Sequence, residues 1–336
     1  MSKIAVDMMG SDLGPSELIK GVFDYKKKHS NDTFILFGDK AILEKLLDKN
    51  QEGFEIRDFK DVIDMEIDPI TFLRHKESSL YQAILAVKNK EADAVISAGS
   101  TGGLVIGSTV LLKNIEGISR AGLCSPFPTL DYNSPATILD IGASITNTYE
   151  DLIGFALMGR IYAKEIFKIK DPSVYLLSNG TEEGKGSKEA CDAYKALKEK
   201  NYTWFKGNTE ARNALDGKHD VVVTNGYSGN VFLKATEGMA KNMSSLIKKA
   251  FKKNFLTKIG YLLSKKGFDE LTHTMDYKRF GGAIFLGVNG VAVKAHGNSD
   301  EFGFNSALEV CHNMIEADII NKIKEQLKDE QKWWNL

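Results

Sequence analysis

The stretch that decides the fold is Ala92-Asp-Ala-Val-Ile-Ser-Ala-Gly-Ser-Thr-Gly-Gly-Leu-Val-Ile-Gly107. Its apolar residues 94–96 predict a buried strand, and the glycine-rich run that follows predicts a tight turn into a helix from about Leu104. Glycines let backbone N–H groups approach an anion closely, and a helix N-terminus adds partial positive charge. The turn therefore supplies four candidate contacts to a phosphate group: Gly99, Ser100, Thr101 and Gly102.

The chain repeats this design in Asp220-Val-Val-Val-Thr-Asn-Gly-Tyr-Ser-Gly-Asn-Val-Phe232. Each copy has an aspartate, three apolar residues, a hydroxyl residue, and two glycines that flank a second hydroxyl residue. The second copy adds three candidates for an anion site: Gly226, Ser228 and Gly229. Two such strand–loop–helix units are expected to face each other across a cleft, at the carboxyl ends of parallel strands, where open α/β sheets bind ligands. The alternative explanation of the repeat is that a common α/β turn occurs twice by chance.

The order of the predicted elements gives the fold class. Predicted strands alternate with predicted helices, which is typical of a mostly parallel sheet covered on both faces, a three-layer α/β/α architecture. The chain has 336 residues, 43% of them hydrophobic, which is enough for one large or two moderate domains. Because no Pro/Gly-rich linker interrupts it, residues 1–336 are read as a single unit with two lobes around a cleft.

Charge and composition exclude several classes of function. The net charge of −1 gives no global field that would attract nucleic acid. The three cysteines are far apart, so they are read as buried thiols of a cytoplasmic protein. The six histidines include no pair at metal-ligand spacing, so neither a zinc site nor any other metal is expected. No cofactor motif is recognised.

Three cationic or polar side chains in other loops are further candidates. Lys185 lies between two glycines, and a long cationic side chain flanked by residues without side chains suits an anion site. The alternative is a solvated lysine in an ordinary turn. Lys294 and His296 are two residues apart, so on an extended strand they share a face. His296 could instead be a helix-entry histidine that packs against Ser299 or Asp300.

Residues 238–268 form a basic amphipathic segment that is expected to protrude from the unit. The segment contains no acidic residue, and its lysines are Lys241, Lys248, Lys249, Lys252, Lys253, Lys258, Lys265 and Lys266. Apolar residues at helical spacing predict a helix, a break near Asn254 and a second helix. Such a pair suits either the surface of an anionic membrane or a dimer interface with a solvated lysine face.

With these loops laid out, the chain resembles the PlsX family of bacterial phosphate acyltransferases over almost its whole length. The resemblance rests on Asp7-Met-Met-Gly10-Ser-Asp12, Ser97-Ala-Gly-Ser-Thr-Gly102, Asp140-Ile-Gly142-Ala143, Glu182-Glu-Gly-Lys185-Gly186, Gly207-Asn-Thr-Glu210, Gly226-Tyr-Ser-Gly-Asn230, Gly281-Gly-Ala283 and Lys294-Ala-His-Gly-Asn-Ser-Asp300. Four departures are Ser100 and Ser144 in place of asparagine, Gly102-Gly103 in place of Gly-Ala, and Asn225 in place of aspartate. The fold that the resemblance implies is that of isocitrate and isopropylmalate dehydrogenases.

The activity that the resemblance implies is transfer of a long-chain fatty acyl group from acyl carrier protein to inorganic phosphate, which gives an acyl phosphate for phospholipid synthesis. Taken with the basic segment 238–268, the expected partners are a second copy of the chain in a homodimer, an anionic membrane surface that the cytoplasmic protein contacts peripherally, and a downstream membrane glycerol-3-phosphate acyltransferase. Phosphate is a competent nucleophile, so the reaction needs no protein nucleophile. The sequence also shows no Ser-His-Asp or Cys-His pattern that would indicate one.

The roles that this chemistry requires are a cationic cradle for phosphate and donors for the oxyanion that develops on the thioester carbonyl. We assign Lys185 to the charge of the phosphate and Asn230 to either the phosphate or the oxyanion. His296 is assigned to protonating the leaving sulfur or to hydrogen bonding the phosphate. Asp7 and Asp140 are expected to orient loops, because their charge would repel phosphate.

The sequence leaves three other functions open. A short-chain phosphate acyltransferase that uses acyl-CoA would have the same fold and the same cradle. A decarboxylating dehydrogenase of that fold would need a cluster of acidic metal ligands. The uncharged Asn225 argues against such a cluster. A non-catalytic membrane or scaffold protein is supported by the basic segment alone.

Overall fold

The computed structural model describes residues 1–64, 67–131, 134–274 and 281–334. Within these residues the centre is a sheet of eleven strands in the order β3-β2-β1-β4-β11-β10-β5-β6-β9-β7-β8. The strands are β1 (Lys3–Asp7), β2 (Thr33–Gly38), β3 (Phe54–Asp58), β4 (Ala94–Ser97), β5 (Gly122–Phe127), β6 (Ala136–Leu139), β7 (Val174–Ser178), β8 (Phe205–Glu210), β9 (Val221–Val223), β10 (Ala283–Leu286) and β11 (Val291–Lys294). The helices are α1 (Pro15–Lys28), α2 (Lys40–Leu47), α3 (Pro69–Arg74), α4 (Ser79–Lys88), α5 (Thr101–Leu111), α6 (Tyr149–Ile166), α7 (Lys188–Glu199), α8 (Gly226–Phe251), α9 (Phe255–Thr274), α10 (Glu301–Glu316) and α11 (Ile319–Trp334).

Two apolar layers cover the sheet, one on each face. Because side chains alternate along a strand, Ala94 and Ile96 of β4 join the layer that contains α1, α6 and α10, whereas Val95 joins the layer that contains α4 and α5. This arrangement confirms the predicted three-layer α/β/α architecture with a mostly parallel sheet. Seven of the ten strand pairings are parallel.

The three antiparallel pairings reverse the direction of the sheet near its middle. Strand β10 is antiparallel to both β11 and β5, and β5 is antiparallel to β6. Strands β6, β9, β7 and β8 consequently run opposite to β1–β4, so the carboxyl ends of β4 and β9 lie at opposite edges of the sheet. The expectation that the two repeated turns meet at one edge of parallel strands therefore needs correction.

Two helix boundaries differ from the sequence-based expectation. Helix α5 begins at Thr101 rather than near Leu104, because the Oγ atom of Ser100 accepts the N–H of Gly103 at 3.1 Å and caps the helix there. The sequence also predicts one closing helix from Asp300 or Glu301 to about Lys328, but the structure has two helices there, α10 and α11. They are separated at Asp318, whose φ of 49° is incompatible with a continuous helix.

Helices α8 and α9 form a hairpin that extends from the sheet. Helix α8 has 26 residues and is ~39 Å long at 1.5 Å per residue, and only Gly226 and Gly229 of it are buried. The connection turns at Asn254, whose Oδ1 accepts the N–H of Thr257 at 2.9 Å. Among the described residues, no helix has the length and apolar character needed to cross a membrane.

The three cysteines are free thiols, as expected for unpaired residues far apart in the sequence. Cys124 and Cys311 are buried in the core, and burial raises the pKa of both thiols well above its usual range. Cys191 is only half-buried, which corrects the expectation that all three are core residues.

Candidate active site

Parts of both repeated units meet in one cavity of about 830 Å³. The first unit contributes Thr101 and Gly102 from the N-terminus of α5, and the second contributes Asn230 from the first turns of α8. Lys294 and His296, at the end of β11, complete the polar lining that the sequence predicted. The structure therefore brings together five of the predicted site residues, although their strands run in opposite directions.

The remainder of the cavity wall is largely apolar. Strand β5 crosses this region and contributes Leu123, Pro126 and Phe127. Further apolar side chains come from the loops on either side of β6, from the loop between β8 and β9, and from α8: Leu130, Ile141, Leu215 and Leu233. Leu130 is 80% exposed, so the apolar wall continues to the surface. One cavity thus offers both a polar lining that contains two lysines, Lys234 and Lys294, and an apolar wall.

Lys294 is the buried cation of this cavity. It is the last residue of β11, where it pairs with Ser97 at the end of β4, which in turn pairs with Asp7 at the end of β1. Only 7% of Lys294 is exposed, and its Nζ donates to the carbonyl of Ala295. Burial lowers the pKa of the Lys294 ammonium to about 8, against the opposing charges of Asp7 and Asp12.

Asp7 organises the strand ends beside Lys294. Its carboxylate accepts the hydroxyls of Ser79 and Ser97, both at 2.6 Å, and the N–H of Met9 at 3.2 Å. Burial raises the pKa of the Asp7 carboxyl, while these hydrogen bonds oppose that shift. Because all of these partners are donors within the protein, the observed contacts agree with the predicted loop-orienting role.

The first glycine loop contributes its helix N-terminus to the cavity. Thr101 and Gly102 line the cavity at the first turn of α5, where helical N–H groups have no carbonyl partner within the helix. Gly99 and Ser100 are buried beneath them and do not line it. A Cβ atom on Gly99 would lie 3.4 Å from the Asp7 carboxylate, so this glycine allows close packing.

The second loop packs against the turn after β6 instead of lining the cavity. A Cβ atom on Gly229 would overlap the carbonyl oxygen of Asp140, and one on Gly226 would overlap that of Ser144. The predicted phosphate candidates Gly226, Ser228 and Gly229 are not among the lining residues. The glycines of this copy therefore have a packing reason, and the next residue, Asn230, is the one that reaches the cavity.

Asp140 holds the turn on which α8 packs. One carboxylate oxygen accepts the N–H groups of Leu123, Gly142 and Ala143 at 2.8–3.0 Å. The other accepts both the N–H and the hydroxyl of Ser144, at 3.1 and 2.8 Å. Ser144, one of the departures from the family pattern, thus binds Asp140.

The other two polar departures are helix caps. Ser100 caps α5, as described above, and the Oδ1 atom of Asn225 accepts the N–H of Ser228 at 2.8 Å to cap α8. The two repeated units therefore begin their helices at different positions. Helix α8 starts at Gly226, which corresponds to Gly99 in the first unit, whereas α5 starts two positions later, at Thr101.

Lys185 lies outside the lining of the cavity. It is exposed in the loop between β7 and α7, where its N–H donates to the carbonyl of Glu182 at 3.1 Å. Strand β7 pairs with β9, so this loop is beside the segment that leads into α8. The assignment of Lys185 to phosphate stays a prediction.

Three charged residues of the cavity were not assigned a role from the sequence: Asp12, Lys234 and Glu237. Lys234 follows Asn230 by four residues, so the two side chains lie on one face of α8, and both line the cavity. Asp12 lines it from the loop after β1. The spacing of Asn230 and Lys234 on a predicted helix was the available signal for the second cation.

The chain is similar over most of its length to a known protein family and to several of its members. A family described as fatty acid synthesis protein matches residues 2–322. A phosphate acyltransferase of Lactococcus lactis subsp. cremoris (strain SK11) is 42% identical over 332 residues, with 98% of this chain and 100% of that protein covered. A phosphate acyltransferase of Clostridium novyi (strain NT) is 41% identical over 332 residues, with 98% and 99% covered.

Solved structures agree with the fold. A phosphotransacetylase from Streptococcus pyogenes has a TM-score of 0.62 at 17% identity, covering 95% of this chain and 94% of that one. For 4-hydroxythreonine-4-phosphate dehydrogenase from Klebsiella pneumoniae the TM-score is 0.51 at 12% identity, covering 94% and 98%. The predicted dehydrogenase-like fold is confirmed. By the match over residues 2–322 and the identity to its relatives, the chain belongs to the fatty acid synthesis protein family, and it is an acyltransferase.

Proposed function

We propose that this enzyme transfers a long-chain fatty acyl group from acyl carrier protein to inorganic phosphate, which yields an acyl phosphate for phospholipid synthesis. The observation that carries the proposal is the single cavity in which a buried lysine and a helix N-terminus share the wall with a continuous apolar surface. Phosphate suits the polar lining, and an acyl chain suits the apolar wall. The names of the curated relatives support phosphate as the acceptor.

The reaction follows from the groups that line the cavity. Phosphate binds beside Lys294 and the first-turn amides of α5, and one of its oxygens attacks the thioester carbonyl. Asn230 donates a hydrogen bond to the oxyanion that forms, which stabilises the tetrahedral intermediate. When the intermediate collapses, the carbon–sulfur bond breaks and His296 donates a proton to the leaving thiolate. No covalent acyl-enzyme is required.

The identity of the acyl donor is decided by a direct assay. Purified enzyme is given phosphate and either a long-chain acyl carrier protein or acetyl-CoA, and acyl phosphate is measured. We expect acyl phosphate from the long-chain carrier at a much higher kcat/KM, because the apolar wall extends to exposed Leu130. A preference for acetyl-CoA would support the alternative, a short-chain phosphate acyltransferase, and would overturn the proposed donor.

The low pKa of Lys294 predicts a fall in phosphate use at alkaline pH. Its pKa of about 8 is below the usual value, so the ammonium is charged below that pH and loses its charge as the pH rises through it. We therefore expect kcat/KM for phosphate to decline above pH about 8. In Lys294→Arg the decline should move to higher pH, since a guanidinium stays charged. An identical decline in that variant would assign it to another group.

The helical hairpin of α8 and α9 supports a further proposal about location and assembly. Large apolar side chains are exposed along it, among them Met239, Met243, Leu246, Phe255, Leu256, Leu262 and Leu263. Lysines alternate with these residues, and segment 238–268 contains no acidic residue. We infer that α8 pairs with a second copy of the chain, while the tip near Phe255 touches an anionic membrane. This position would bring acyl phosphate to a membrane glycerol-3-phosphate acyltransferase.

Membrane contact through the hairpin tip is tested with vesicles of phosphatidylglycerol. The enzyme should sediment with them at low salt and be released at high salt, because lysines near anionic lipid contribute about 1 kcal/mol each. Phe255→Glu with Leu256→Glu should abolish sedimentation, since these side chains are 76% and 77% exposed and would carry charge into the lipid. Acyl transfer in solution should be unchanged.

A matched control substitutes exposed apolar residues elsewhere. Ile70→Glu with Leu73→Glu changes two exposed side chains on α3, and this variant should still sediment. If the Phe255/Leu256 variant sediments as well as wild type, the membrane proposal fails and only the dimer role of the hairpin remains.

A further inference from the structure

Two histidines and an aspartate from distant parts of the chain meet beside the N-terminal half of the sheet. His29 is the C-cap of α1, Asp32 lies in the loop before β2, and His312 is on α10. One ligand atom from each lies within 4.8 Å of the other two. None of the three lines the active-site cavity. No local spacing in the sequence signals this group, because His312 is 280 positions from Asp32.

The aspartate is fixed by two hydrogen-bond donors other than the histidines. Only 3% of Asp32 is exposed; its Oδ1 accepts the N–H of Ser2 at 2.7 Å and its Oδ2 accepts the hydroxyl of Tyr25 at 2.6 Å. The Nδ1 atom of His312 is 3.1 Å from Oδ2. Carboxylates that bind metals are commonly held by such outer donors, which set the direction of the remaining lone pairs.

Each imidazole also has a glutamate beside its Nε2 atom. Glu309 is 3.0 Å from Nε2 of His29, and Glu316 is 3.3 Å from Nε2 of His312. Histidines that bind metals typically donate their second ring N–H to a carboxylate, which orients the ring and raises its basicity. The centroids of the two rings are only 4.1 Å apart. Both rings are thus held side by side next to one buried carboxylate.

We propose that His29, Asp32 and His312 form a binding site for a divalent transition metal of the zinc class. Two imidazole nitrogens and one carboxylate oxygen suit zinc, whereas calcium and magnesium prefer sites made of oxygen ligands alone. The metal replaces the hydrogen bond between Asp32 and His312.

The consequence of metal binding is structural. The site joins the end of α1 to α10, the helix that follows the active-site residues Lys294 and His296. Because a metal that binds only the folded chain stabilises it by mass action, zinc should raise the melting temperature. This inference is independent of the acyl transfer proposed above, since none of its ligands contacts the cavity.

The test measures zinc binding to the full-length enzyme after treatment with a chelator and dialysis. Calorimetric titration with zinc chloride should give one bound ion per chain and a higher melting temperature. His29→Gln and His312→Gln should each weaken binding by at least about tenfold and remove the thermal shift. His75→Gln is the matched control, because His75 pairs with Asp61 at 2.7 Å but belongs to no metal-ligand cluster among the described residues; zinc binding should be unchanged.

Cobalt substitution provides a readout that does not depend on stability. The enzyme loaded with Co²⁺ should show the visible absorption of a low-symmetry nitrogen and oxygen site, and both glutamine variants should lose it. Acyl transfer should be retained in both variants, which shows that they fold. Failure of the wild-type enzyme to bind zinc, or equal binding by wild type and the two glutamine variants, would overturn the site and leave a metal-free hydrogen-bonded cluster.

Discussion

Lys294→Met is expected to lower kcat/KM for phosphate by about 10- to 150-fold, the result of losing one charge-assisted contact of about 1.5–3 kcal/mol. Methionine keeps the length of the apolar stem but removes the charge, so packing at the end of β11 should change little. The effect should be large because Lys294 is buried at the cavity wall, where water screens its charge weakly. Steady-state kinetics at pH 7 with varied phosphate measures it.

Lys185→Ala is the comparison for that measurement. The sequence assigned Lys185 to phosphate, but its side chain is exposed and lies outside the cavity lining. An exposed cation contributes up to about 1 kcal/mol, so its loss should raise KM for phosphate by about fivefold at most. A larger effect for Lys185 than for Lys294 would reverse the assignment that we make from the structure.

Gly229→Ala is expected to destabilise the enzyme by about 3 kcal/mol or more. The added methyl group would overlap the carbonyl oxygen of Asp140, which is fixed backbone, so α8 would have to move away from the turn after β6. Overpacking of a fixed core typically costs about 1–3 kcal/mol and sometimes more. Because Asn230 follows directly, acyl transfer should fall as well. Denaturant unfolding gives the free energy.

The control for that substitution lies on the same helix. Gly238 of α8 has open space around the position of a Cβ atom. Alanine there should leave the free energy of unfolding unchanged or raise it by about 0.5–1 kcal/mol, since glycine is a poor residue inside a helix. Equal stability of the Gly229→Ala and Gly238→Ala variants would contradict the close packing of α8 on Asp140.

Individual strands and helices of this chain were predictable because apolar runs and glycine-rich turns mark them within a few residues. The apolar run at residues 94–96 and the glycines after it predicted β4, and Lys294 was expected on an extended strand, which is β11. The reversal of the sheet was not predictable in this way. It depends on β10 pairing with β5, a strand about 160 positions earlier in the sequence, and no short-range pattern encodes that choice.

The site was predicted in its residue types more than in its geometry. Lys294 and His296 were selected as candidates because a strand places alternate residues on one face, and in the structure both line the cavity. The assignment of the second loop's glycines to phosphate stays a prediction, because glycine serves close backbone packing as readily as anion binding. Gly226 and Gly229 show the first use, against Ser144 and Asp140.

The most direct test of the account is a crystal structure of the enzyme with phosphate and a long-chain acyl phosphate analogue. We predict the phosphate group within hydrogen-bond distance of the Nζ atom of Lys294 and the first-turn amides of α5, with the acyl chain along Leu123, Phe127 and Leu233. Phosphate bound instead at the loop of Lys185, with the cavity left without anion or acyl chain, would contradict it.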